Sequence, residues 1–316
     1  MVKNPLPVPI HLKTLLSWVD KKREMYTLKK PTGIIILLMS FVLAGEVYAV
    51  NNTTIDEDFG TIESSSSIDL STHTFILKIT WSAEQSDAPL PRQRVKAESV
   101  IQSHLPHLFI DAISKLIIDS RRRVSDSISD SPEIAAELRK IASTGKVVSA
   151  GFSSNFSEFQ HTYQYPLYPS IAGLFIRHSQ GVSQIEELTY VPTGNYSGIV
   201  IYADSSLEMF GTPRNSSLKP ALFPKVYNEN MDLVIDMRMV DPEIVKTKGM
   251  LQYFTSSQLD KIHSRVGDVP LYVHATALFG INSTDLVVSH RAAKKIKASP
   301  HTLSLIREGK IAIVTE

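Results

Sequence analysis

The chain of 316 residues contains no cysteine, and this absence limits how its fold can be held together. It excludes disulfide frameworks, thiolate zinc sites, iron–sulfur clusters, cysteine nucleophiles and a lipidated N-terminal cysteine. The fold must therefore depend on its hydrophobic core. Hydrophobic residues make up 43% of the chain and charged residues 21%, which excludes a wholly disordered protein. A net charge of +1 disfavours nucleic-acid binding, because nucleic-acid-binding proteins normally carry a basic surface.

Residues 25–49 have the pattern of a secretory signal peptide. Two lysines precede the apolar run Gly33–Gly45, and Val47 and Ala49 suit a cleavage site. At about 1.5 Å per residue, this run is too short to cross a hydrocarbon core of about 30 Å. We therefore predict a periplasmic or exported protein. The alternative is a protein anchored in the inner membrane by residues 27–49.

The other boundaries follow from composition. Residues 1–24 are predicted to be either non-native or a cytoplasmic extension, because a signal peptide normally opens a chain. Residues 50–70 are acidic and rich in serine, which predicts a flexible leader. The folded part is predicted to be a domain over residues 71–316, with a possible division into two modules near residue 192.

The folded part is predicted to be α+β, with a mixed, mostly antiparallel sheet, a long N-terminal helix and short C-terminal helices. Residues Phe75–Trp81 are rich in strand-forming residues, and apolar residues recur at helical spacing from Arg92 to Ile117. Pro106 should kink or split that helix. A second helix is predicted from Ser131 to Ser143, and Gly198 is expected to permit close backbone approach. The order of elements does not fit a doubly wound parallel sheet.

The remaining predicted elements follow from shorter patterns of apolar, turn and capping residues. They are strands at 146–150, 153–163, 188–191, 196–203, 250–254, 271–279 and 310–314, a hairpin at 220–236, short helices at 241–243, 257–266 and 289–298, and a rigid loop or edge segment at 163–169.

Three segments resemble the signature of FlgP-like bacterial envelope proteins. They are YSGIVIYA at 196–203, KPALFPKVYNENMDLVID at 219–236 and INSTDLVVSHRAAKKI at 281–296. The tyrosine-rich stretch at 163–169 is similar to exported spirochaete proteins of this type. The resemblance implies a periplasmic or outer-membrane-associated structural role, often around the flagellum, with no enzymatic activity. Such proteins often use a cysteine for lipid anchoring, so this chain is expected to be soluble or held by protein partners.

Two residue patterns could carry chemistry, and each has a simpler structural explanation. His104 and His107 could share a helix face as a partial metal site, but no glutamate lies between them. Ser143 and Lys146 have the spacing of some acyl enzymes, although the companion motifs are absent and a helix end explains them as well. We predict no catalytic residue, no metal ligand and no cofactor-binding residue.

A protein-binding surface is the remaining functional prediction. The candidate residues are Tyr163, Tyr165, Tyr168, Arg121, Arg122 and Arg123. The tyrosines lie among prolines and are of a type that anchors interfaces, although they could equally pack in a core or loop. The arginines could contact phosphates, lipid headgroups or carboxylates, or simply form a solvated helix end.

We predict an exported, non-enzymatic protein that acts by assembly or protein binding in the cell envelope, associated with the flagellar apparatus as the resemblance implies. Its expected partners are envelope proteins and not nucleic acid, and it should contact the membrane only through an uncleaved signal. One alternative is an envelope hydrolase with an unrecognised site. Another is a glycosylated eukaryotic secreted protein. The glycosylation sequons are at Asn51, Asn52, Asn155, Asn195, Asn215 and Asn282.

Overall fold

A computed structural model describes residues 50–57, 60–83, 89–182 and 194–315, all of which fall in one compact unit. The predicted signal peptide, the residues before it and the predicted strand at 188–191 lie outside the described residues. Below, residues 50–182 are the N-terminal part and residues 194–315 the C-terminal part. Within the described ranges, no helix combines the length and apolar character needed to cross a membrane.

Two large sheets and seven α-helices make up the described fold. The first sheet contains β1 (Val50–Glu57), β2 (Gly60–Asp69), β3 (Thr74–Ala83), β4 (Lys146–Phe152) and β5 (Glu158–Pro166). The C-terminal strands are β6 (Ile199–Ala203), β7 (Leu207–Glu208), β8 (Asn215–Ser216), β9 (Val226–Asn228), β10 (Leu233–Ile235), β11 (Gln252–Thr255), β12 (Leu271–Phe279), β13 (Asp285–Val288) and β14 (Ile311–Thr315). The helices are α1 (Leu90–Ile113), α2 (Val124–Asp130), α3 (Pro132–Ala142), α4 (Pro242–Lys248), α5 (His263–Val266), α6 (His290–Lys297) and α7 (Pro300–Arg307).

The five-stranded sheet is antiparallel throughout, in the order β1-β2-β3-β5-β4. Side chains alternate between the two faces of a strand, so one face of this sheet can be apolar. On β3, Phe75, Leu77 and Ile79 are fully buried on that face. The Phe75 ring meets Phe109 of α1 edge-on, with centroids 5.6 Å apart. The predicted strand at 75–81 is therefore confirmed, and it forms the centre of the N-terminal core.

Helix α1 begins near the predicted position but differs from the prediction in two ways. It runs from Leu90 to Ile113 with Pro106 inside it, so the proline does not split the helix. It also follows three strands, whereas the sequence predicts only one strand before it. The second predicted helix is confirmed as α3, which begins directly after Ser131.

The prediction of a flexible leader at 50–70 is wrong, because these residues include β1 and β2. Strand β2 pairs with β3 in unbroken register over its whole length. On its buried face, Ser64 and Ser66 stand between Ile62 and Ile68. These serines hide the apolar alternation that identifies a strand, because serine is typical of turns and loops.

The seven-stranded sheet is mixed, in the order β10-β9-β13-β12-β6-β14-β11. Strands β11, β14, β6 and β12 run parallel, whereas the pairs β12–β13 and β9–β10 are antiparallel. Ile199, Val200 and Ile201 of β6 are fully buried, as expected for an interior strand covered on both faces. The α+β class is thus confirmed. Most of the antiparallel pairing that we predicted for one sheet lies in the separate five-stranded sheet.

Turn and cap residues of the C-terminal part behave as predicted. Strands β9 and β10 form the predicted hairpin, and the Asn228 side chain accepts the backbone N–H groups of Asn230 and Asp232 across its turn. Asp241 caps α4 and Ser289 caps α6, each with its side-chain oxygen. These local signals were readable because each polar side chain acts within four residues of itself.

Gly198 permits the close backbone approach that the sequence suggested. It directly precedes β6, and a Cβ at this position would lie 2.5 Å from the carbonyl oxygen of Val266 at the end of α5. The adjacent Ser197 hydroxyl donates to the same carbonyl at 2.7 Å. Because the neighbouring atom belongs to a hydrogen-bonded backbone, it cannot move aside cheaply.

We expect Gly198→Ala to lower the free energy of unfolding by roughly 1–3 kcal/mol, the usual cost of overpacking a core. Urea unfolding followed by circular dichroism would measure the loss. Gly173→Ala is the matched control, because a Cβ there has nothing within 4 Å. An equal loss in both variants would contradict the close contact at Gly198.

Candidate functional site

Two of the three predicted tyrosines are buried on the inner face of the five-stranded sheet. Tyr163 and Tyr165 occupy alternate positions of β5, an interior strand, so both face the core. The Tyr165 hydroxyl donates to the carbonyl of Ala142 at 2.9 Å, at the end of α3. The Tyr163 hydroxyl accepts from the side-chain amide of Gln102 at 3.0 Å, and burial raises its pKa to about 12.

Tyr168 is buried as well, where the N-terminal and C-terminal parts meet. Its ring meets that of His73 edge-on, with centroids 4.9 Å apart. Gly249 lies so close that a Cβ there would be 2.9 Å from the tyrosine ring. The prediction of a loop or edge segment at 163–169 is therefore wrong, and the tyrosines cannot form an exposed binding surface. Strand alternation and core packing outweigh the composition that suggested one.

The predicted arginines form an exposed turn between α1 and α2, here called the arginine turn (Asp119–Arg123). One Asp119 carboxylate oxygen accepts the backbone N–H groups of Arg121 and Arg122 at 2.9 Å each, which fixes the turn. The other oxygen accepts two N–H groups of the Arg122 guanidinium at 2.9 and 2.8 Å. Asp119 thus pairs with Arg122. In the described part of the chain, the exposed guanidinium groups of Arg121 and Arg123 form no salt bridge.

Ile281 stands beside the arginine turn, on the loop between β12 and β13. It is 86% exposed, more than any other large hydrophobic residue that the structure describes. Its neighbour Asn282 donates its backbone N–H to Ser120 and its side-chain N–H to Asp119, at 3.2 Å each. On the other side, Gly280 lies against Ser120, where a Cβ would be 2.4 Å from the serine Cβ. The isoleucine is therefore held in place on a fixed backbone.

The same bonds bear on the glycosylation alternative. Asn282 is 7% exposed and its amide nitrogen is engaged with the Asp119 carbonyl. A glycan could not attach there in the folded protein.

Backbone hydrogen bonds also join the residues just before the arginine turn to the C-terminal part. Leu222 donates to the carbonyl of Ile117 at 3.1 Å, and Phe223 donates to that of Ile118 at 2.8 Å. The segment that leads into the arginine turn is therefore paired with the C-terminal part. This pairing places side chains from both parts on one surface.

Asp285 stabilises the contact between the N-terminal and C-terminal parts next to the arginine turn. It is 1% exposed, and its carboxylate accepts the backbone N–H of Lys225 at 3.0 Å and the Thr284 hydroxyl at 3.2 Å. Burial raises the pKa of Asp285, although hydrogen bonds from Lys225, Ser120 and Thr284 favour the carboxylate. Its position ties β13 to the hairpin and to the base of the arginine turn.

The other sequence candidates are separate from this surface. His104 and His107 lie on α1, and the Ser143 hydroxyl donates to the carbonyl of Lys140 at 2.7 Å, at the end of α3. Among the described residues, no group of three or more histidines and carboxylates is arranged to hold a metal ion.

Sequence reasoning missed Ile281 and Asp285. Both lie in the segment Gly-Ile-Asn-Ser-Thr-Asp at 280–285. Glycine, asparagine and serine between two strand patterns indicate a turn, so an isoleucine among them could have been recognised as exposed. Nothing local indicates that it would stand beside an arginine turn more than 150 residues earlier, since the bond between Asn282 and Asp119 spans 163 residues.

Arg265 belongs to the C-terminal part, and its charge lies close to Tyr168 and His73 of the N-terminal part. Its guanidinium donates to the carbonyls of Lys248 and Gly249 at 3.0 and 2.7 Å, at the C-terminal end of α4, where the helix dipole favours a cation. Burial lowers the pKa of Arg265 to about 10. Burial, with a further contribution from the nearby Arg265 charge, lowers the pKa of His73 to about 4.

Comparison with known proteins yields two matches. Residues 61–174 match the family model for Treponema pallidum Tp0624, N-terminal domain, and residues 198–316 match that for Treponema pallidum Tp0624, second domain. The chain is therefore similar to Tp0624 over two successive domains of a spirochaete-specific family. The matches support the resemblance to a spirochaete protein but not the narrower FlgP-like assignment. No curated protein matches the chain.

The two matched segments meet at the candidate surface. The arginine turn lies in the first segment and Ile281 in the second. The surface therefore exists only where the two domains pack together.

The partly buried His73 should make stability depend on pH. Between about pH 6.5 and 4 the unfolded chain binds a proton at His73 that the folded chain does not, so stability should fall as pH drops through this window. The contribution is at most about 3 kcal/mol. His73→Asn, which tolerates the positive φ of 54° here, should flatten the slope of unfolding free energy against pH, measured by urea unfolding.

His107→Asn is the control for that experiment, because His107 is exposed on α1. It should leave the slope unchanged. If the slope of unfolding free energy against pH is the same in His73→Asn as in the wild type, other groups carry the pH dependence.

Proposed function

We propose that this protein is an exported, non-enzymatic component of the cell envelope that acts by binding a protein partner, in the setting of the flagellar apparatus. Export rests on the signal-like pattern at residues 25–49, and the envelope setting rests on the resemblance to FlgP-like proteins. Similarity to a spirochaete-specific family is compatible with both.

The observation that carries the proposal is the arginine turn beside Ile281. An exposed apolar side chain on a fixed loop loses little conformational freedom when it enters a pocket, so its burial can be converted into affinity. Arginine is enriched among interface residues that dominate binding energy, and Arg121 and Arg123 have no salt bridge within the described chain. The partner that fits is a protein surface with an apolar pocket for Ile281, flanked by carboxylates.

The alternative of an envelope hydrolase gains no comparable support. Its best nucleophile candidate, Ser143, donates its hydroxyl to the carbonyl of Lys140 within its own helix end. A serine nucleophile needs its hydroxyl hydrogen-bonded to a general base instead.

The proposal predicts that the native partner is lost when this surface is changed. In cross-linking and pull-down from native envelope, Arg121→Glu/Arg123→Glu and Ile281→Ser should each reduce recovery of the partner by about tenfold or more, as expected for residues that dominate an interface. Reversing the charges places like charges against the partner's carboxylates, and serine cannot fill the apolar pocket.

Matched controls lie elsewhere on the surface. Arg139→Glu changes an exposed arginine of α3, and Val269→Ser changes a valine that is 63% exposed. Both should recover the partner at the wild-type level. Recovery of no envelope protein by the wild type, or equal recovery by all variants, would contradict the proposed surface.

A further inference from the structure

Strand β4 forms an edge of the five-stranded sheet. In the described part of the chain it pairs with β5 alone, so the backbone N–H and C=O groups on its other side have no strand partner there. Such an edge is a template for another strand, and proteins usually protect it with charges, prolines or cover. The sequence KVVSAGF has one charge, at its first residue, and no proline.

The side chains of β4 are also unusually exposed to solvent for an apolar strand. Residues Lys146–Ala150 are all exposed, and Val147 and Val148 keep 45% and 49% of their surface in solvent. A bulge between Val147 and Ser149 is the one protective irregularity, and beyond it β4 stays in regular register with β5 up to Phe152.

A second apolar group lies at the opposite end of the edge. Phe156, in the turn between β4 and β5, is 56% exposed, and its ring lies 6.4 Å from that of Phe152. The edge therefore carries valines at its start and phenylalanines at its end, with small residues between them.

This arrangement complements itself. If two copies of β4 pair antiparallel about a two-fold axis, Val147 and Val148 of each copy face the Phe152 end of the other. Aromatic and β-branched side chains across two strands form favourable pairs. The single charge of the strand, Lys146, falls at opposite ends of the paired strands, so the two ammonium groups do not oppose each other.

We infer that this protein self-associates as a two-fold symmetric dimer through antiparallel pairing of β4 with β4 of a second copy. The pairing joins the two five-stranded sheets into one continuous sheet. A contact built on one pair of edge strands falls at the small end of protein interfaces, so we expect a weak dimer whose population depends on protein concentration. The inference rests on the sheet edge and is independent of the arginine turn.

Sedimentation equilibrium of the purified protein over a range of concentrations tests this dimer. The wild type should dimerise, and Val147→Lys/Val148→Lys should weaken dimerisation by tenfold or more, because lysines on an edge repel each other and resist pairing. Val95→Lys/Val269→Lys adds the same charge at valines that are 67% and 63% exposed, and it should dimerise like the wild type. Circular dichroism shows whether each variant is folded.

The absence of native cysteine permits a second, independent test. Ser149→Cys lies at the centre of the proposed pairing, so a short bismaleimide linker should join two copies. Val269→Cys under the same conditions should remain monomeric. A monomer at all concentrations, a dimer that tolerates both lysines in β4, or cross-linking at Val269→Cys alone would each overturn the inference.

Discussion

The two parts of the chain are joined by hydrogen bonds along residues 117–120, and the surface of the protein depends on this joint. The carbonyl groups of this segment accept N–H groups of Leu222, Phe223 and Asn282 from the C-terminal part. Losing one of these bonds while the parts stay packed would leave a buried polar group unpaired, at a cost of about 1–3 kcal/mol. In a chain without cysteine, this joint and a hydrophobic core shared by both parts take the place of disulfides.

The joint also explains why the candidate surface is well defined. Asp119 and Ser120 belong to the arginine turn and also hold the Ile281 loop. Their carbonyls accept one side-chain N–H and the backbone N–H of Asn282, while the Asp119 carboxylate fixes the turn. Neither matched domain contains the whole surface. A separated domain would keep either the charges or the apolar side chain, but not both together.

Sequence patterns predicted the elements whose physics is local. Strand β12 was predicted with its full range, because its apolar residues alternate and clear turns flank it. Strand β2 was missed, since Ser64 and Ser66 occupy its buried face. Composition alone suggests that Tyr163 and Tyr165 form an interface, whereas their spacing of two residues on an interior strand directs both side chains to the core. The exposure of Ile281 depends on contacts between distant segments, which no local pattern encodes.

The buried hydroxyl of Tyr165 has a mechanical consequence. It holds the carbonyl of Ala142 at the end of α3, and Gly145 packs so tightly on the same ring that a Cβ would lie 2.5 Å from it. Strand β4 begins at the next residue, so the N-terminal end of this strand is fixed to the core. Tension applied along β4 would therefore load its hydrogen bonds to β5 in shear, all at the same time, instead of peeling them apart one by one from a free end.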